Sequence, residues 1–183
     1  MKTAAERSPL LTTPEPPELG PGPRATVQPL PTLTRQIDEA LSRAKLAGAG
    51  GELVRALVLL WHDHLEAAHV LAQTSETADG SYIHALVHRR EPDYGNARYW
   101  FRRVSQHACY HELAARVATL LKSKQEPELE AKLIPGGRWD AFAFVDACEK
   151  AAGGGAEDRL FHLLREIQRV EFEVLLDYLF GKA

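Results

Sequence analysis

Eight of the eleven prolines fall within residues 9 to 31, and only Pro92, Pro127 and Pro135 follow. Proline fixes φ and removes a backbone donor, so that stretch is excluded from helix interiors and central strands. Residues 1–31 are therefore expected to form a disordered, proline-rich tail. A docking motif for a proline-binding module is the sharper reading of the same composition. Residues 32–183 are left almost free of the residue most hostile to helices. They are long enough for a single domain that buries close to 70% of its unfolded surface.

Within that domain apolar residues recur at helical spacing: Ile37, Leu41 and Ala44; Leu53, Leu57, Leu60 and Trp61; Leu113, Val117, Leu120 and Leu121; Leu160, Leu164, Ile167 and Val174. Strict alternation with β-branched enrichment is missing. Breakers at Gly48 to Gly51, Asp79-Gly80, Pro92, Pro127, Pro135 to Gly137 and Gly153 to Gly155 divide the chain into pieces of helix length. Ser81 and Asp140 are candidate N-caps, and Gly181 a candidate stop. The expected fold is all-α, about seven helices in antiparallel hairpins, either tetratricopeptide-like or an irregular bundle. A repeat at an offset of 29 supports hairpins: Ala56/Ala85, Leu57/Leu86, Val58/Val87 and Ala68/Ala97 are identical pairs.

Charge and composition exclude some functions. With 22 basic and 25 acidic residues the formal net charge is -3, which argues against nucleic acid or an anionic membrane as partner. No apolar run approaches the roughly 18 residues of a spanning helix. The first segment lacks the apolar core of a secretory signal. Cys109 and Cys148, both in segments that read as helical, are expected to be reduced, buried thiols of a cytoplasmic protein.

The compositional oddity is histidine, seven of the eight lying between positions 62 and 111. On a helix over 81–91, His84, His88 and Glu91 fall within about 60° of arc. Two imidazoles at i, i+4 with a carboxylate suit zinc or another borderline metal. An antiparallel preceding helix brings His69 and Gln73 to the same place. His107 and His111 form a second i, i+4 pair. A metal-free histidine network is the plainer alternative. Neither a zinc-protease motif nor a di-iron helix pair is present. Cys109 lies two residues from each of His107 and His111, on a different helical face, so no nucleophile is nominated.

A basic and aromatic segment follows: Arg89, Arg90, Arg98, Tyr99, Trp100, Phe101, Arg102 and Arg103. Ala97, Trp100, Phe101 and Val104 share the expected core side. The arginine surplus suits carboxylate or phosphate, or else Arg89 or Arg102 pairs with Glu91, Asp93 or Glu66 at a hairpin corner.

The run Ala68-His69, Gln73, Asp79-Gly80-Ser81, His84, His88-Arg89, Glu91, Asp93, Asn96-Ala97, Tyr99 to Arg103 and His107 resembles a widespread family of bacterial and fungal proteins with no established activity. Trp139-Asp140, Phe142, Phe144, Val145 and Cys148 continue the resemblance, as do Ile167-Gln168, Phe172, Leu175, Leu176 and Tyr178. The family implies an acidic residue where this chain has His64, and a proline where it has Ala141. It implies no reaction.

The first functional expectation is a noncatalytic module binding a peptide or small anionic ligand. Its candidate residues are His69, Gln73, His84, His88, Arg89, Glu91, Tyr99, Arg102 and Arg103, and no cofactor is expected. The alternative is an enzyme of unassigned type, or a protein holding a divalent metal on His69, His84, His88 and Glu91. The last helix is expected to bury its stripe in its own domain or against a second copy, as a homodimer.

Overall fold

The structure is a computed structural model, and it describes residues 8–152 and 158–182. Among them nine α-helices and no strands occur: α1 (Leu30–Ala44), α2 (Gly48–Trp61), α3 (Leu65–Ala72), α4 (Ala78–Arg90), α5 (Tyr94–Val104), α6 (Tyr110–Lys124), α7 (Pro127–Leu133), α8 (Ala141–Ala152) and α9 (Arg159–Gly181). The fold is all-α, with nine helices where about seven were expected. The short α3 and α7, of 8 and 7 residues, raise the count. The corner between α2 and α3, His62 to His64, contains neither glycine nor proline to announce it. The expected break at Gly153 to Gly155 lies outside the described residues.

Two helices form the centre. In α2 every residue from Ala56 to Trp61 is buried, and it packs against α1, α3, α4 and α9. In α4 only Ala78 of the 13 residues is not buried. A helix apolar on all sides has to sit inside a bundle, and α2 does. By contrast α1 is amphipathic, burying Leu33, Ile37, Ala40, Leu41 and Ala44 along one stripe. The stripe of α9 packs against α2, α6 and α8 of the same chain. No helix among the described residues is long and apolar enough to cross a membrane.

The 29-residue repeat is visible in the backbone. His62 N donates to Val58 O at 3.1 Å and Glu91 N to Val87 O at 2.9 Å; His64 N donates to Leu59 O at 3.0 Å and Asp93 N to His88 O at 2.9 Å. Ala68 N reaches His64 O at 3.0 Å, as Ala97 N reaches Asp93 O at 2.9 Å. The hairpins α2–α3 and α4–α5 therefore turn through equivalent three-residue corners. Ala68 and Ala97 are both fully buried, because the second helix of each hairpin must approach the first closely.

Helix α4 starts earlier than its sequence suggests. Thr77, not Ser81, is the N-cap, with its hydroxyl accepting from Gly80 N at 3.1 Å. Asp79-Gly80 lies inside the first turn rather than breaking a helix. Asp140 does cap α8, accepting from Ala143 N at 2.9 Å, and α9 ends at Gly181.

The proline-rich leader departs most from expectation. From Ser8 onward it is a strap docked on the bundle, with Leu10, Leu11 and Leu19 buried. Arg165 Nη2 donates to Pro16 O at 2.6 Å, Gln168 Nε2 to Pro17 O at 3.2 Å, and Arg90 Nε to Gly20 O at 3.0 Å. Backbone carbonyls that proline cannot pair within the strap are thus satisfied from the bundle.

Candidate metal centre

Three histidines converge where α3 crosses α4. His69 lies in the last turn of α3, while His84 and His88 stand one turn apart on α4. One ring nitrogen of each lies within 4.8 Å of the others. His69 Nε2 is 2.9 Å from His84 Nε2, and the rings of His84 and His88 stack at 4.8 Å. Ligands held roughly 2.0–2.1 Å from a tetrahedral zinc ion stand about 3.3 Å apart, close to that nitrogen separation.

Glu91, the C-cap of α4, stands behind two of these rings. Its Oε1 lies 3.2 Å from His69 Nδ1 and its Oε2 lies 3.2 Å from His88 Nδ1. A carboxylate accepting from Nδ1–H fixes the tautomer and leaves Nε2 with its lone pair for a metal. Glu91 meets this geometry at His69, and at His88 it sets a carboxylate charge 3.2 Å from Nδ1.

Trp100, assigned to the core by its spacing, is half-buried and covers the site. It stacks on His84 with centroids 4.0 Å apart, and the Arg103 guanidinium lies 5.3 Å from the centroid of the same indole. Burial pushes the His84 pKa down to about 4, with the charges of His88 and His69 acting in the same direction. Burial also lowers His88, against the pull of Glu91. His84 and His88 are therefore neutral at neutral pH, the state a metal requires.

The remaining candidates do not gather here. Gln73 is the exposed C-cap of α3, and Tyr99 is 45% exposed with its ring edge-on to Trp100. Arg102 and Arg103 are exposed on α5. Arg89 faces away, fully buried, with Nη2 2.5 Å from Glu171 Oε2 and 3.4 Å from Gln168 Oε1. Tyr82 completes that network by donating to Glu171 Oε1 at 3.0 Å. The corner pairing expected of Arg89 is thus replaced by one with α9, because at about 100° per residue Arg89 stands on the opposite side of α4 from Glu91.

His107 and His111 are not a helical pair. Ser105, at φ 56°, ends α5, and His107 lies in the turn before α6 while His111 is exposed on it. The turn brings His107 Nδ1 to 3.0 Å from Cys109 Sγ, the contact that a helical reading excluded. Its Nε2 lies 2.9 Å from Asp79 Oδ1, and Lys182 Nζ donates to Asp79 Oδ2 at 2.7 Å. Cys109 is buried, and desolvation pushes its thiol up to about 12, so this arrangement does not supply a thiolate nucleophile. Cys148, also buried, is likewise pushed up to about 12.

Sequence reasoning missed the polar groups on the core side of α9: Arg165, Gln168 and Glu171, all buried. Their spacing of three, inside an apolar stripe, was the available signal. It also missed Asp63, held by Arg24 Nε and Arg90 Nη2, each at 2.8 Å. Compared with family models, curated proteins and solved structures, the chain matches none.

Proposed function

We propose that the protein binds a divalent transition-metal ion of the zinc class through His69, His84 and His88. Glu91 orients His69 and sets a carboxylate charge beside His88. The observation that carries this reading is the 2.9 Å approach of two imidazole nitrogens from different helices, with a third imidazole stacked beside them. Imidazole favours zinc, copper, nickel and cobalt over calcium or magnesium. Three imidazole ligands leave a fourth position for water or a further ligand.

The alternative of a histidine and arginine pocket for an anion is less well supported, since Arg89 is neutralised by Glu171 and the exposed Arg102 and Arg103 lie outside the converging imidazoles. The test is metal analysis and zinc titration of protein prepared without a histidine tag. About one equivalent per chain is expected, lost when His84 and His88 are both replaced by alanine. Wild-type protein that takes up no zinc, cobalt, nickel or copper at stoichiometric concentration overturns the reading.

A further inference from the structure

The strap is held chiefly through its backbone. Arg165 Nη2 and Nε donate to the carbonyls of Pro16 at 2.6 Å and Pro17 at 3.3 Å. Gln168 Nε2 donates to Pro17 O at 3.2 Å and Glu18 O at 3.1 Å, and Arg90 Nε to Gly20 O at 3.0 Å. His62 Nε2 donates to Leu10 O at 2.9 Å. These donors are themselves buried, Gln168 and Arg90 fully, so they form a built groove rather than a fringe of surface side chains.

Side chains add register. Leu19 is 2% exposed, and Glu18 lies 3.2 Å from Arg165. Arg24 closes the strap by donating from Nε to Asp63 at 2.8 Å and from its guanidinium to Trp61 O. A segment with carbonyls free to accept, two prolines in succession and a leucine two residues later is what this surface recognises.

We propose that this groove is a recognition site for proline-rich segments, and that the strap of a second copy of the chain can replace the resident one. Every copy carries both the groove and the segment that fits it. The contacts read the backbone, so they are the same whichever chain supplies the strap. Between Arg24 and α1 the chain passes through Ala25 and Thr26, both exposed, where a change of direction disturbs no core packing. Exchange of identical elements leaves the balance to the hinge and to concentration. The tethered strap has an effective concentration on the order of millimolar, so it wins in dilute solution. Removing Arg24 from the resident strap alone shifts the balance toward an incoming strap that keeps it, because only the incoming one can then donate to Asp63.

The test mixes two full-length chains under mild oxidation: one carries Pro17→Cys and keeps Arg24, and the other carries Gln168→Cys with Arg24→Ala. A disulfide-linked heterodimer is expected, at a yield that rises with concentration and exceeds the dimer from either chain alone. Its absence overturns the proposal. A second measurement leaves the groove intact: a labelled peptide of residues 8–24 is titrated with full-length wild-type and Arg24→Ala chains. Binding to Arg24→Ala at least tenfold tighter than to wild type is expected, and it is lost when Arg165→Ala is added. Unchanged anisotropy with both chains up to millimolar concentration overturns the proposal.

Discussion

His69 Nε2 and His84 Nε2 stand 2.9 Å apart although one belongs to α3 and the other to α4. Two nitrogens at that distance cannot both carry a proton toward each other. With the His84 pKa lowered to about 4, the unfolded chain takes up a proton near pH 6.5 while the folded chain does not. The stability contributed by neutral His84 is complete above about pH 6.5 and is lost as pH falls toward 4. The slope for one such group reaches about 1.4 kcal/mol per pH unit. Urea melts of metal-free protein between pH 7 and pH 4 measure it, and His84→Ala is expected to flatten that part of the profile.

Glu91 touches His69 and His88 from behind, so Glu91→Gln keeps the shape and removes the charge behind both rings. Zinc affinity is expected to fall about 10- to 100-fold. Competition with a chromogenic chelator gives the affinity, and an unchanged value removes the orienting role from Glu91.

Asp63 sits between Arg24 and Arg90 with its side chain fully buried, and hydrogen bonds from Arg24, then Arg90, hold its carboxyl below the usual carboxylate range despite burial. Asp63→Ala leaves the buried guanidinium of Arg90 without its counter-charge and is expected to destabilise the fold by about 3–5 kcal/mol. The lowered pKa makes this contribution present above the ordinary carboxylate pKa and lost in stronger acid. Denaturant unfolding at neutral pH tests the first part, and an acid midpoint moved upward in the variant tests the second.

Gly80 is required by close approach rather than by its backbone angles. A Cβ there would lie 2.3 Å from Ser75 Oγ and 2.7 Å from Ser75 O. Because one obstacle is backbone, no side-chain rotation relieves it. Gly80→Ala is expected to cost roughly 1–3 kcal/mol, read as a lower melting temperature. Adding Ser75→Gly should recover only part of the loss.

Helical periodicity and the repeat made the bundle and its two hairpins legible, since both depend on patterns local to each segment. The facing of His84 and His88 was legible for the same reason, and His69 joined them once α3 was taken to pack antiparallel. The strap was not. Proline-rich composition reads alike whether the segment is free or docked, and the difference lies in Arg165 and Gln168, which meet Pro16 to Glu18 from about 150 positions away. The contact of His107 with Cys109 was hidden because helical spacing was extended through Ser105, where the positive φ ends α5.

The matched corners at 62–64 and 91–93 also separate backbone from chemistry. The first elbow holds Asp63, which clasps the leader through Arg24, and the second, at a neighbouring position of the same fold-back, holds Glu91 beside two imidazoles. Side chains at such an elbow can be reassigned without rebuilding either arm, because the bonds the two elbows share run between main-chain atoms. A duplicated elbow thus leaves one copy free to fasten the leader and the other free to set a carboxylate behind two imidazoles.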